Sequence, residues 1–226
     1  MAAFRIVIAD DHPLFRDALR LAVSQTVVDG DIAEADSFDS LCARLKAAPD
    51  ADLVLLDLNM PGMHGLSGLL YLRAEFAAVP IAVVSANENP RVVRRALDLG
   101  AIGYIPKSAA AATIREALGA LLAGETWVPA ALDPRHPGNA DETALAALLN
   151  TLTPQQSRVL MLLSDGLLNK QIAHAMQVSE ATIKAHVSAI LHKLGVDNRT
   201  QAVILAQQLA IEIAEGEAES STGALR

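Results

Sequence analysis

The feature that most restricts the fold of this chain is a series of five short strand-like segments, four of them apolar runs, each followed by sequence of helical period. Residues Arg5–Ala9 (RIVIA), Asp31–Asp36, Asp52–Asp57 (DLVLLD), Pro80–Ser85 (PIAVVS) and Ile102–Ile105 read as strands. The segments after them read as helices over Pro13–Gln25, Phe38–Ala47, Gly65–Phe76, Pro90–Gly100 and Ala109–Leu122. In the first helix Leu14, Ala18, Leu21 and Ala22 recur at helical spacing and are the expected apolar face. Apolar runs alternating with helices, with Asp31–Asp36 (DIAEAD) the weaker strand among them, predict an α/β doubly wound domain, a five-stranded parallel sheet flanked by helices. The count matches the flavodoxin-like arrangement, although strand order itself is not a periodicity signal.

After Leu122 the character changes. Pro129, Pro134, Pro137 and Gly138 crowd residues 123–150, which read as a linker with a short helix at Glu142–Leu149. From residue 151 to 213 the pattern is helical only. Thr153-Pro154 caps a helix over Gln155–Ser164, a short helix follows at Asn169–Met176, and Ser179 caps a third over Glu180–Leu194, stopped by Gly195. A fourth spans about Thr200–Ile213, and residues 214–226 read as a frayed tail. The expected organisation is therefore an α/β domain (1–122), a linker (123–150), a small all-α four-helix domain (151–213) and the tail.

Charge is informative by segment. The net charge of −8 is made of −5 over residues 1–125, −2 over 126–150, +1 over 151–213 and −2 from Ala214 onward. If a polyanion such as nucleic acid is a partner, only the helical segment can approach it without repulsion. No apolar run nears the roughly 18 residues of a membrane span, and MAAFRIVIADD meets two aspartates too early for a signal peptide, so a cytoplasmic protein without membrane contact is expected. The single cysteine, Cys42, lies between Leu41 and Leu45 in sequence and reads as a core residue rather than a redox or metal centre.

In open α/β sheets ligands bind beyond the carboxyl ends of the strands. Here those ends carry Asp10 and Asp11, Asp57, Ser85 and Lys107. Three carboxylates at close quarters repel one another unless countercharged, and a divalent cation with Lys107 supplies the balance. Oxygen ligands on a partly open site suit Mg²⁺. The implied chemistry is phosphoryl transfer to a carboxylate, with Asp57 as nucleophile and Asp10 and Asp11 as metal ligands. Each residue alone has a plain structural explanation: Asp11 as a helix cap, Ser85 as a turn residue, Lys107 as a solvated loop residue. Their joint placement on four strand ends does not.

The motifs IADD, LLDLNMPGMHG, VVSA and YIPK resemble, over residues 4–122, the receiver domain of two-component response regulators. The resemblance implies phosphorylation of Asp57 by a phosphohistidine on a sensor histidine kinase. It implies Mg²⁺ held by Asp10 or Asp11, Asp57 and the backbone carbonyl of Asn59. It also implies phosphoryl contacts from Ser85 and Lys107, and a switch role for Tyr104, which moves inward with Ser85. A half-buried ring packed at a strand end explains Tyr104 equally well. His64, in the turn after Asp57, reads as a solvated loop residue.

The short helix, turn and longer helix over Asn169–Leu194 follow the helix-turn-helix plan. Ile183, Val187, Ile190, Leu191 and Leu194 form one stripe of the longer helix, leaving Lys184, Ala185, Ser188 and His192 opposite, a face slim enough for a major groove. Thr182 in the first turn suits a phosphate oxygen, with Lys170, Lys193 and Arg199 as further phosphate contacts. Residues 152–203 are similar to the LuxR-type helix-turn-helix. Gln156 stands where that family usually has glutamate, and Gln177 where glycine is frequent. The family's last helix often dimerises, and Val203, Leu205 and Leu209 are available for that or for burial within the module.

The two resemblances together imply a response regulator of the NarL/FixJ type, a transcription regulator that is not an enzyme and binds double-stranded DNA as a homodimer. A module of such low charge binds DNA weakly alone, which favours pairing on a twofold site. Two alternatives stand beside this reading: a phosphorylation-independent DNA binder whose receiver is a dimerisation platform, and a phosphohydrolase with an aspartyl-phosphate intermediate. For the latter, Asn59 offers no acid or base beside the nucleophile. The acidic receiver is expected to keep the output module off DNA until phosphorylation.

Overall fold

In the computed structural model, which describes residues 4–27, 29–132 and 140–206, the five strand-like segments become strands β1 (Arg5–Ala9), β2 (Asp31–Ala35), β3 (Leu53–Asp57), β4 (Ile81–Ser85) and β5 (Gly103–Pro106). They form one parallel sheet in the order β2-β1-β3-β4-β5. The central strands β3 and β4 are buried at every residue, as strands covered on both faces must be. Alternate residues divide between two cores. Ile6, Ile8, Leu53, Leu55 and Val84 pack with α1 (Pro13–Thr26) and α5 (Ala111–Leu122). Val7, Val54, Leu56, Val83 and Tyr104 pack with α2 (Phe38–Ala47), α3 (Ser67–Glu75) and α4 (Pro90–Asp98).

Local chemistry fixes the helix starts. Ser37 and Ser40 form a reciprocal capping box on α2, and Asn89 accepts the Arg91 N–H ahead of Pro90 on α4. The expected apolar face of α1 is corrected. Leu14 is 87% exposed, Leu21 60%, and Ala18 is also exposed, while Leu19, Ala22 and Val23 are buried. Helix α1 carries two apolar stripes, and the one containing Phe15, Leu19, Ala22 and Val23 meets the sheet.

Contacts with the sheet continue past the end of α5 at Leu122. Trp127 pairs with Gly103 as an extra bridge beside β5, the Tyr104 N–H donates to the Trp127 carbonyl at 3.0 Å, and Leu132 is buried. Glycine is required at position 103: a Cβ there would lie 2.7 Å from a Leu121 methyl and 2.9 Å from the Trp127 carbonyl oxygen. The expected linker helix is present as α6 (Ala140–Leu149), lying against α4. Pro134, Pro137 and Gly138 lie outside the described residues.

The helical part consists of α7 (Pro154–Ser164), α8 (Asn169–Met176), α9 (Glu180–Leu194) and a last helix, α10, described over 199–206. Leu209 and the tail from residue 214 lie outside the described residues. Among the described residues no helix is long and apolar enough to cross a membrane. Cys42 is half-buried against the core, and burial pushes its thiol up to about 11, in line with a packing role.

Candidate functional site

At the carboxyl edge of the sheet, β1, β3, β4 and β5 deliver Asp10, Asp57, Ser85 and Lys107 to one place. Asp10, Asp57 and Ser85 are each buried to within 2%. The Lys107 ammonium reaches both carboxylates, at 2.8 Å from Asp10 Oδ2 and 2.9 Å from Asp57 Oδ2. Burial pushes the Asp57 carboxyl above its ordinary range, and the charge and hydrogen bond of Lys107 offset only part of that. Burial alone would lower the Lys107 ammonium, but the two carboxylates outweigh it and hold its pKa above normal. One lysine shared between two buried acids leaves the pocket short of positive charge.

That shortage is what a divalent cation would relieve. Ligand-capable atoms of Asp10, Asp11, His12 and Asp57 all lie within 4.8 Å of one another. The Asn59 N–H points back to Asp57 Oδ1 at 3.4 Å, which brings the loop after β3 over the same edge. The oxygen-rich donor set fits a hard cation of the Mg²⁺ type. A cavity of about 460 Å³ opens beside Asp57, walled by Lys107, Asn59 and His12 and by the apolar Leu14, Phe15 and Ala86. Phe15 also lies under the Lys107 ammonium, 5.1 Å from its ring centre.

Tyr104 is fully buried rather than half-buried, and its hydroxyl donates to the Asn87 carbonyl at 2.6 Å. Asn87 is itself fully buried, and its N–H donates to Ser85 Oγ at 3.2 Å. Tyr104 is thus coupled to the pocket hydroxyl through the loop after β4. Nothing in the sequence singled out Asn87, because its role depends on where that loop folds. His12 was not singled out either, although its place beside the aspartate pair is the signal that marks it.

On the helical side, Thr182, Lys184, Ala185, Ser188 and His192 are all exposed along one side of α9, and Lys170 is exposed on α8. The opposite stripe is buried as expected at Ile183, Ile190 and Leu194, with Val187 and Leu191 half-buried. Ser179 caps α9 through the Thr182 N–H at 3.1 Å, and Lys184 lies 3.1 Å from Glu180 one turn back. Two expected phosphate contacts have other tasks. Lys193 donates to the Thr151 carbonyl and to Gln156 Oε1, both at 2.8 Å. Arg199 is held by the Leu167 carbonyl and by Asn169 Oδ1. Both therefore tie helix ends together instead of standing free on the surface. Val203 and Leu205 are half-buried and pack against the apolar core, whereas Ile204 is 50% exposed.

Comparison with known proteins closes the question of kinship. Residues 6–119 match the response regulator receiver domain, and residues 150–206 match the bacterial regulatory proteins of the LuxR family. The glycerol metabolism activator of Pseudomonas putida is 40% identical over 214 residues, covering 90% of this chain and 95% of that protein. The nitrate/nitrite response regulator NarL of Escherichia coli K12 is 34% identical over 205 residues, covering 90% and 94%. This chain is a NarL-type response regulator. Among solved structures, RcsB of Salmonella typhimurium matches with a TM-score of 0.56 at 27% identity, covering 92% of this chain and 99% of that one. A second RcsB structure, of two dimers bound to two parallel DNAs, matches with a TM-score of 0.54 at 27% identity, covering 91% and 98%.

Within this response regulator Gln156 and Gln177 both sit at helix ends of the output module. Gln156 accepts from Lys193 at 2.8 Å and keeps the capping box with Thr153 through the same amide oxygen at 3.1 Å. Gln177 adopts φ 55°, the left-handed conformation that favours glycine. A seam joins receiver and output module. Arg158 of α7 lies over the rings of Phe38 (5.4 Å) and Tyr71 (5.9 Å) and pairs with Asp39 at 3.1 Å. His64, expected to be merely solvated, is exposed but faces Asp165 at 3.6 Å, and the Asn150 amide donates to the Asp98 carbonyl at 3.2 Å. In this docked arrangement the outer face of α9 remains exposed.

Proposed function

We propose that Asp57 accepts a phosphoryl group from the phosphohistidine of a sensor histidine kinase, and that this controls binding of the output module, as a homodimer, to double-stranded DNA. The observation that carries the reading is the sharing of Lys107 between Asp10 and Asp57 beside an open cavity. In the transfer the N–P bond of the donor breaks, its electron pair returns to the imidazole, and a new O–P bond forms at a carboxylate oxygen of Asp57. Lys107 then leaves Asp57 Oδ2 for a phosphoryl oxygen while keeping Asp10, and Ser85 donates its hydroxyl to another. Asp10, Asp11, Asp57 and the Asn59 carbonyl would hold Mg²⁺, which neutralises the phosphoryl charge when bound. Tyr104, hydrogen-bonded behind Ser85 through Asn87, reads the displacement of that hydroxyl.

For DNA, the exposed face formed by Thr182, Lys184, Ala185, Ser188 and His192 is the reading surface, with Lys170 on phosphate. Homodimerisation is favoured by the weak charge of a single module, and the RcsB dimers on DNA are consistent with it. Lys193 and Arg199 are not part of this proposal, since both are bound internally. The test is incubation with acetyl phosphate and Mg²⁺, followed by mass, oligomeric state and DNA affinity for the wild type and Asp57→Ala. A mass gain of one phosphoryl group, absent in the variant, together with tighter DNA binding, is expected. Phosphorylation elsewhere would overturn the assignment, and equal DNA binding by the variant would favour a phosphorylation-independent regulator.

A further inference from the structure

The reading of the pocket as an oxygen-only Mg²⁺ site leaves one donor unused. His12 follows the aspartate pair, and its Nδ1 lies 2.7 Å from Asp11 Oδ1 and 3.3 Å from Asp10 Oδ1. Its position is held by the backbone: the His12 N–H donates to Asp10 Oδ1 at 2.8 Å, and Pro13 starts α1 immediately after it. The ring itself is 66% exposed, so little packing opposes its rotation. It also faces the cavity beside Asp57.

We propose that His12 is a further metal ligand, making this pocket a mixed carboxylate–imidazole site that takes first-row transition ions more tightly than Mg²⁺. The inference rests on the pocket being a divalent-cation site at all. Ligands on opposite sides of one ion with bonds of about 2.0–2.2 Å stand about 4–4.4 Å apart. The group formed by Asp10, Asp11, His12 and Asp57 is held within 4.8 Å, so a small rotation of an exposed ring closes the shell. Mg²⁺ prefers oxygen and keeps its waters, so it gains little from the nitrogen. Co²⁺, Ni²⁺ and Zn²⁺ bind imidazole well and follow the Irving–Williams order. As a neutral donor, His12 adds affinity for those ions without disturbing the charge balance between the carboxylates and Lys107.

The test is titration calorimetry of the full chain with CoCl₂ and with MgCl₂, for wild type, His12→Ala, His12→Gln and the control His64→Ala. It is paired with electron-spin-echo spectroscopy of the Mn²⁺-loaded protein. Both His12 substitutions are expected to weaken Co²⁺ binding on the order of ten-fold and to change Mg²⁺ binding by less than about two-fold. The nitrogen modulation on Mn²⁺ should vanish in both, and His64→Ala should behave as wild type. Unchanged Co²⁺ affinity, or equal loss for both ions, overturns the inference. If Mg²⁺ binds and acetyl phosphate labels Asp57 while His12 has no effect, only the ligand role of His12 falls; if wild type binds neither ion, the acidic-pocket reading falls with it.

Discussion

Replacing Arg158 with alanine should open the seam between receiver and output module. The guanidinium contacts two aromatic rings and one carboxylate, and its side chain is only 25% exposed, while that of Asp39 is 81% exposed. Two cation–π contacts at a partly desolvated site contribute about 1–2 kcal/mol together, and the ion pair to so exposed an acid adds little. The docked-to-open ratio should therefore fall about 5- to 30-fold. Cys42 is a built-in reporter: it is the only cysteine in the chain, half-buried on α2, and close enough to Arg158 to feel its charge. Two effects oppose each other. Removing the Arg158 charge takes away an influence that lowers the thiol's pKa, which by itself slows labelling. Opening the seam exposes the thiol and speeds it. Faster reaction of Cys42 with a disulfide reagent, with the fold intact by circular dichroism, is the expected result. Arg115→Ala, which removes only a surface contact to Gln25 on the other side of the sheet, should leave the rate unchanged. Labelling of Arg158→Ala at the wild-type rate, or slower, would refute the assignment of Arg158 as the clamp.

Other expectations follow from the same geometry. Because burial raises the Asp57 carboxyl in the folded state, the native protein holds that proton more tightly than the unfolded chain, and metal-free stability should decline as pH rises through the window between the unfolded and folded values. Asp57→Asn should remove that decline and raise the metal-free melting temperature, by about 2–4 °C per kcal/mol of relief, read by scanning calorimetry with a chelator present. Gln177→Gly should stabilise the output module by about 1 kcal/mol in urea unfolding, since it relieves a left-handed side chain at the end of α8. Gln156→Glu should add up to about 1 kcal/mol by pairing with Lys193 while keeping the capping box, a gain that shrinks with added salt. Lys184→Ala should weaken DNA binding and reduce the slope of log affinity against log salt by about one, without altering acetyl-phosphate labelling of Asp57.

The sequence alone determined the elements and the pocket, because both are written in short-range patterns. Apolar strand runs need no distant partner to be recognised, and a parallel sheet brings their carboxyl ends to one edge whatever the loops do. The convergence of Asp10, Asp57, Ser85 and Lys107 is therefore legible in the sequence. The face of α9 was legible for the same reason, since a helix with one apolar stripe must turn the other side outward. What only the tertiary structure decided depends on contacts between residues far apart in the chain. Helix α1 offers two apolar stripes, and the sheet chose the one without Leu14 and Leu21. Lys193 and Arg199 look like surface cations in the sequence, but helix ends packed close to them capture both. The Trp127 bridge to β5 and the seating of Arg158 over Phe38 and Tyr71 leave no local trace, because a side chain's partner across an interface is set by how whole elements dock rather than by its neighbours in the chain.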